Sequence, residues 1–303
     1  MKTVGFDEGE AKLDWIGLTD ALIAGHKLSR ADMGDMFLYR TPDTGLVRGA
    51  VIDGLGFLVK TATIFPENTA KELPTVNGSV LLFDDAAGLP EAMIDFHLVT
   101  KWKTAGDSLL GARLLARPDS RKITILGAGT QGANLWSAYR ALFPDAEFTI
   151  WNRTFHKAEA FAKTYANTRA ESDLETAIRG ADIITSATMS SEPMIKGAWL
   201  SAGQHLDLIG AYRPDMREAD DEALTRARIF VDSRDTTIDH IGELKDPIAR
   251  GVIKPQDIVA DFYDLGSDSF SRQNNDEITL FKNGGGAHLD LMTSRYILNQ
   301  WSS

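Results

Sequence analysis

Cysteine is absent from this chain. That excludes a disulfide framework and any thiolate nucleophile or thiolate metal ligand. Long apolar runs are missing too, so no stretch is long enough to cross a bilayer. The first ten residues carry Asp7, Glu8 and Glu10 where a secretory signal would need an apolar core. These absences lead us to expect a cytoplasmic protein with no membrane partner. Positive charge is scarce: 32 Lys and Arg face 43 Asp and Glu, for a net charge of −11. Such a balance argues against a nucleic-acid partner. Basic residues that converge on one point must therefore work locally. Histidines at 26, 97, 156, 205, 240 and 288 are scattered, with no His-Glu-x-x-His spacing, so no metal is expected. His205 falls in an apolar stretch and reads as a core residue. There is no Gly-x-Ser-x-Gly elbow and no phosphate-loop lysine after Gly132, which weakens hydrolase and NTPase readings.

What is present centres on Lys122–Gly132. Ile123, Ile125 and Leu126 read as a short buried strand, and Ala133–Phe143 as a helix. Between them Gly127, Gly129 and Gly132 stand in Gly-x-Gly-x-x-Gly order. The first permits a tight turn, the second lets a pyrophosphate approach the backbone, and the third lets helix and strand pack closely. Free N–H groups at the helix start would face the diphosphate. Gly127, Ala128, Gly129, Thr130, Gln131 and Gly132 are therefore candidate cofactor-binding residues. Strand and helix on either side are the context that gives this motif weight.

From there the pattern alternates strand and helix: Glu147–Trp151, Phe155–Tyr165, Leu174–Ile178, Ala181–Ser186, His205–Ile209, Ile229–Val231 and Ile278–Phe281. Alternation of this kind predicts an α/β fold, a Rossmann doubly wound parallel sheet. The first hundred residues read differently, as antiparallel strands at Phe37–Arg40, Leu46–Ile52, Phe57–Phe65 and Ser79–Phe83 with a helix at Leu13–His26. A long helix, Val99–Ala116, ends at Arg117-Pro118-Asp119. We accordingly place a second, α+β domain at residues 1–117 and the dinucleotide domain at 118–286.

Three sets of polar residues carry candidate chemistry. The second nucleotide-fold strand ends in Asn152-Arg153-Thr154, where an NAD site commonly has a carboxylate for the ribose 2′-OH. A guanidinium there pairs with a 2′-phosphate instead, which favours NADP(H) over NAD(H). The alternative is that Arg153 is an ordinary surface arginine. Next, Arg48 and Lys60 flank the turn at Asp53–Gly56 almost symmetrically, so they should lie near one another across a hairpin. Like charges so placed are unfavourable unless something anionic joins them, and a bound carboxylate would do so; two solvated side-chain tips are the competing reading. Lastly, Lys101 and Lys103 near a helix start oppose its dipole unless an anion lies there. An exposed, water-screened first turn is the bland alternative, and Lys103 is the better candidate.

Four stretches then carry a resemblance over nearly the whole chain: Gly127–Gln131 (Gly-Ala-Gly-Thr-Gln), Ile150–Thr154 (Ile-Trp-Asn-Arg-Thr), Gly210–Glu218 (Gly-Ala-Tyr-Arg-Pro-Asp-Met-Arg-Glu) and Val59–Asn68. The chain resembles the ornithine cyclodeaminase/mu-crystallin family, and Ile-Trp-Asn-Arg-Thr looks like its NADPH-binding, mu-crystallin side. That resemblance implies a Rossmann domain, a second domain for substrate binding and dimerisation at residues 1–117 to which the final helix 287–303 returns, a homodimer built by that domain, and small α-imino or α-amino acid substrates. Lys60 matches the family's substrate-facing lysine. Arg40 is the first match for an upstream carboxylate-binding arginine, with Arg48 the rival. Lys103 falls where many members have arginine, and lysine cannot make arginine's forked contact. Thr188 and Met189 match a cofactor-lining segment, while Tyr212 and Gly284 match positions near the nicotinamide.

The expectation that follows is an NADPH-dependent reductase of small α-imino acids, for instance of Δ1-pyrroline-2-carboxylate. Lys60 is the catalytic candidate, and Lys103 together with either Arg40 or Arg48 is expected to hold the carboxylate. A cyclodeaminase-type ammonia-lyase with bound NAD and a non-catalytic small-molecule binder are the alternatives. Cyclodeaminases resembling this chain carry aspartate where Tyr212 stands, which weighs against the lyase.

Overall fold

The computed structural model of the protein describes residues 1–302. Cα packing divides the chain into two units, Met1–Lys103 with Gly286–Ser303 and Thr104–Gly285.

Alternating burial organises the first unit. Its strands are β1 (Lys2–Val4), β2 (Asp32–Arg40), β3 (Asp43–Ile52), β4 (Gly56–Ile64), β5 (Val76–Phe83) and β6 (Pro90–Asp95), in the sheet order β1-β6-β5-β4-β3-β2. All neighbours are antiparallel except β1 and β6. On β4 the inward residues are Gly56, Leu58, Lys60 and Ala62, so a lysine occupies the face that otherwise holds apolar side chains. Val80, Leu82, Ala92 and Ile94 continue that face on β5 and β6. The last helix, Ala287–Ser302, packs against β2–β5 and against helix Trp15–His26. Asp14 caps the latter helix by accepting from the Gly17 N–H at 2.6 Å. Arg295 fastens the last helix to the sheet by donating to Leu55 O at 2.6 Å and pairing with Glu91.

β2 is longer than the sequence suggests and lies at the sheet edge, with Met36, Phe37, Leu38 and Tyr39 all exposed. β1 and β6 were not legible: the first is only three residues long, and the second opens on proline.

In the second unit β7 (Lys122–Leu126), β8 (Glu147–Trp151), β9 (Thr168–Glu171), β10 (Ile183–Ser186), β11 (His205–Leu208), β12 (Ala227–Val231), β13 (Ile258–Ala260) and β14 (Ile278–Lys282) form one parallel sheet. Its order is β13-β12-β14-β11-β10-β7-β8-β9. Read from β9, the first five strands follow the 3-2-1-4-5 start of the dinucleotide-fold order, and β14, the last strand in the chain, is inserted between β11 and β12. Apolar side chains such as Ile125, Ile184, Leu206, Ile229 and Leu280 are fully or almost fully buried at its centre. β9 reads Thr-Arg-Ala-Glu because it is a half-buried edge strand.

Helix Phe96–Leu115 begins earlier than the sequence reading has it. The division between the units falls inside this helix, after Lys103 rather than at Arg117. From Thr104 onward it packs on the parallel sheet. Ser108 donates to Asp207 at 3.0 Å, Asn283 donates to Thr104 O at 3.0 Å, and the Phe281 ring lies against the Gly111 backbone. Lys101 and Lys103 consequently sit beyond the first helical turn, and the dipole argument for an anion does not apply to them. Lys101 pairs with Glu10 instead. Among the described residues no helix is long and apolar enough to cross a membrane.

Candidate active site

Three cations converge in the first unit. Arg48 on β3 lies directly opposite Lys60 on β4 in the strand register. The expected conflict between them is resolved by the protein itself rather than by a bound carboxylate. Asp290, fully buried on the last helix, accepts from Lys60 Nζ at 2.8 Å, and its second oxygen lies 3.7 Å from Arg48 Nη1. The opposite edge of the Arg48 guanidinium makes a forked pair with Asp35 at 3.1 and 2.5 Å. Lys60 also donates to Thr100 Oγ1 at 2.9 Å and lies 4.8 Å from the Phe96 ring centroid.

Lys103 completes the cluster at 8 % exposure, yet makes no hydrogen bond or ion pair to any described residue. Its charge is felt by both Lys60 and Asp290. Arg48, Lys60 and Lys103 outnumber Asp35 and Asp290 by one charge.

Burial pushes the Lys60 ammonium down to about 8, with Lys103 and Arg48 acting in the same sense and Asp290 opposing. For Asp290 burial works against ionisation, but Lys60, Lys103 and Arg48 outweigh it and hold the carboxyl below its ordinary range. His288, adjacent in the same helix turn, is driven well below the usual histidine value by burial, then by His26 and Lys103. A lysine near 8 can hold or release a proton at physiological pH.

Arg40 does not join this group. It sits at the exposed end of the β2–β3 hairpin, paired with Asp43 at 2.6 Å and lying over Phe65. Between the two candidate arginines, the fold brings Arg48 to Lys60.

The second unit builds the nucleotide cradle. Gly127 has φ +112°, and a Cβ there would lie 2.9 Å from Ala187 O. At Gly132 a Cβ would lie 2.0 Å from Gly127 O, so helix Thr130–Leu142 packs against the turn itself. At Gly129 the same position meets nothing within 4 Å, which leaves the backbone open on the side a diphosphate would approach. Gly129 caps the helix with no side-chain bond, so the first N–H groups, Thr130 and Gln131 among them, face outward.

Asn152 is structural here. It accepts from the Ala128 N–H at 3.1 Å and donates to Thr154 O at 3.0 Å, tying the glycine loop to the end of β8. Arg153 is exposed beside it. Thr154 caps the next helix without a side-chain bond.

Thr188 lies just past β10, but both its N–H and its hydroxyl turn inward to Glu218, at 2.9 and 2.8 Å. It can line a ligand by position, not through those donors. Met189 and Tyr212 are exposed at 74 % and 55 %. Gly284 packs closely, since a Cβ there would lie 2.5 Å from Thr237 and 3.2 Å from Asp232 Oδ1. Of the nearby acids, Asp220 caps helix Asp221–Arg226, while Asp215 makes a forked pair with Arg213. Buried His205 bonds Thr279, as befits a core residue.

Two residues escaped the sequence reading, Asp290 and Glu218. An acid within the apolar pattern of the last helix was the signal for the first. The second closes the Gly210–Glu218 stretch, where its place in a family motif was the signal.

Comparison with known proteins adds to this geometry. Residues 53–303 match the model of the ornithine cyclodeaminase/mu-crystallin family. The chain is 48% identical over 300 residues to a Δ1-pyrroline-2-carboxylate reductase of Paracoccus denitrificans, covering 97% of this chain and 95% of the relative. Among solved structures it resembles the Thermococcus litoralis Δ1-pyrroline-2-carboxylate reductase in complex with NADH and L-proline, with TM-score 0.88, 26% identity, and coverage of 99% and 97%. It also resembles an archaeal alanine dehydrogenase dimer with bound NAD, with TM-score 0.89, 25% identity, and coverage of 99% and 95%.

Proposed function

The chain belongs to the ornithine cyclodeaminase/mu-crystallin family, and from that premise we propose that it is an NADPH-dependent reductase of small cyclic α-imino acids, with Δ1-pyrroline-2-carboxylate as the type substrate. The observation that carries this reading is Lys103, a buried cation without a hydrogen bond or ion pair beside an Asp35–Arg48–Asp290–Lys60 cluster that already balances itself. An anionic substrate group supplies what Lys103 lacks. The relative named for that same reaction is 48% identical over nearly the whole chain.

In this reading the two units divide the labour. Residues 104–285 hold the dinucleotide through Gly127–Gly132 and Arg153, and the unit containing Lys60 holds the substrate. NADPH, when bound, supplies the hydride that reduces the C=N carbon. Reduction also requires one proton at the imine nitrogen. Lys60 can hold that proton, because its pKa near 8 keeps it mostly charged at neutral pH yet able to release. Lys103 and Arg48 hold the substrate carboxylate, and Asp290 keeps Lys60 charged and oriented.

Arg153 supports NADPH over NADH, since an exposed guanidinium follows β8 where a carboxylate would serve NAD. We also propose a homodimer. Support comes from the apolar edge strand β2 and from the resemblance to a dimeric alanine dehydrogenase.

The test is NADPH oxidation by the purified protein over a panel of Δ1-pyrroline-2-carboxylate, iminosuccinate and pyruvate with ammonia. Cyclic imine should be turned over fastest. Absence of turnover with every imine would overturn the assignment.

A further inference from the structure

Five donors converge on one buried carboxylate in the 104–285 unit. Glu218 is completely buried. Its Oε1 accepts from Ser186 Oγ at 2.6 Å, Thr188 N–H at 2.9 Å and Thr188 Oγ1 at 2.8 Å. Its Oε2 accepts from the N–H groups of Gly210 at 2.6 Å and Ala211 at 3.2 Å. Both carboxyl oxygens are thereby filled with donors from the protein itself.

These donors come from two different segments. Ser186 ends β10 and Thr188 follows it, while Gly210 and Ala211 follow β11. In the doubly wound order β10 and β11 are strands four and five, on the opposite side of β7 from β8 and Arg153. Ligands of such sheets bind outside the carboxyl ends of the strands, and the second mononucleotide half lies over strands four and five. The segments also touch directly. A Cβ at Gly210 would lie 1.9 Å from Thr188 O and 2.5 Å from Thr188 N, so only glycine permits their approach.

Glu218 is itself anchored. Its N–H donates to Glu243 Oε2 at 2.7 Å, the Ala219 N–H to Glu243 Oε1 at 3.1 Å, and its carbonyl accepts from Met194 and Ile195, both at 2.9 Å.

We propose that Glu218 is a positioning residue that fixes the spacing of the 188–189 and 210–212 segments, and that these segments seat the nicotinamide half of the cofactor. The inference rests on reading residues 104–285 as the dinucleotide-binding unit. It makes Glu218 and Gly210 one device: the carboxylate draws the segments together, and the missing side chain lets them meet.

The two halves of the cofactor provide the test. NADPH binding is titrated by nicotinamide fluorescence, and adenosine 2′,5′-bisphosphate, which lacks the nicotinamide half, by calorimetry. Glu218→Gln keeps the shape but turns an amide N–H2 toward N–H and O–H donors. It should raise the NADPH Kd by about tenfold or more. The Kd of adenosine bisphosphate should stay within about twofold, because its contacts lie elsewhere. Gly210→Ala should show the same split. If Glu218→Gln does not fold, Thr188→Val, which removes one hydroxyl, reads the same difference at smaller amplitude.

Unchanged NADPH affinity in the folded variants would overturn the proposal, as would equal weakening of both ligands, which marks a general scaffold role. Failure of the wild-type protein to bind NADPH would overturn the dinucleotide reading along with it. Wild-type binding with unchanged variants overturns only the role of Glu218.

Discussion

Lys60 and Asp290 are 230 residues apart in the chain and 2.8 Å apart in the fold, an ion pair with neither side chain more than 8 % exposed. Around it stand Arg48, Lys103 and His288. In the proposed function, the charge of this pair sets the proton that Lys60 offers the imine.

One consequence is a pH dependence. Lys60 is charged below about 8 and neutral above it. Imine reduction needs the charged form, so kcat/KM in the reductive direction should fall as pH rises through about 8. Oxidation of the amine needs the neutral form and should rise over the same window. Lys60→Arg should abolish both breaks, because arginine stays charged. Asp290→Asn removes the group that opposes the downward shift of Lys60, so the break should move to lower pH. A break that remains near 8 in Lys60→Arg would assign the titration to another group.

The anion clamp can be read by comparing two substitutions. Lys103→Met should raise the substrate KM by about tenfold or more, as loss of a charge-assisted contact does, while NADPH affinity stays unchanged. Arg40→Ala should change neither by more than about twofold, since exposed ion pairs contribute little. Steady-state kinetics on both variants checks this. Equal effects from the two would mean Arg40 reaches the substrate after all.

Cofactor preference should reside in Arg153. In Arg153→Ala, kcat/KM for NADPH should drop by about ten- to a hundredfold, with the NADH value nearly constant. Equal use of both cofactors by the wild-type protein would refute the role given to the guanidinium.

Ornithine should not be deaminated. A phenol offers a distal ammonium no carboxylate to pair with. Tyr212 occupies the position that the cyclodeaminase pattern gives to aspartate, and Asp215 and Asp220 are committed to Arg213 and to a helix cap. Incubation with L-ornithine and NAD, followed by ammonia and proline assays, should show no turnover. Catalytic ammonia release would place this protein among the lyases.

Local features were legible in the sequence because local chemistry determines them. Gly127 and Gly132 are dictated by a turn and a close contact a few residues away. The opposition of Arg48 and Lys60 follows from the turn between them. Long-range partners left no such trace. Asp290 reads as one acid in an apolar helix until the fold sets it against β3 and β4. The start of helix Phe96–Leu115 was misplaced because β6, opening on Pro90, did not read as a strand. That moved Lys103 into a first turn it does not occupy. Glu218 looks like a polar residue after a proline-containing loop, and only the return of that loop beneath β10 and β11 reveals its five donors.

Strand β2 gives the protomer a habit that its chemistry does not require. Nine residues run along an open sheet edge with Met36, Phe37, Leu38 and Tyr39 uncovered, and neither proline nor lysine interrupts them. Natural edges of that length are usually blunted, because unpaired backbone donors and acceptors template further strands. A chain that keeps such an edge must cover it soon after folding or lose material to disordered association. Under the proposed dimer, β2 is covered only while two protomers stay together, so dilution below the dimer's dissociation constant uncovers the edge.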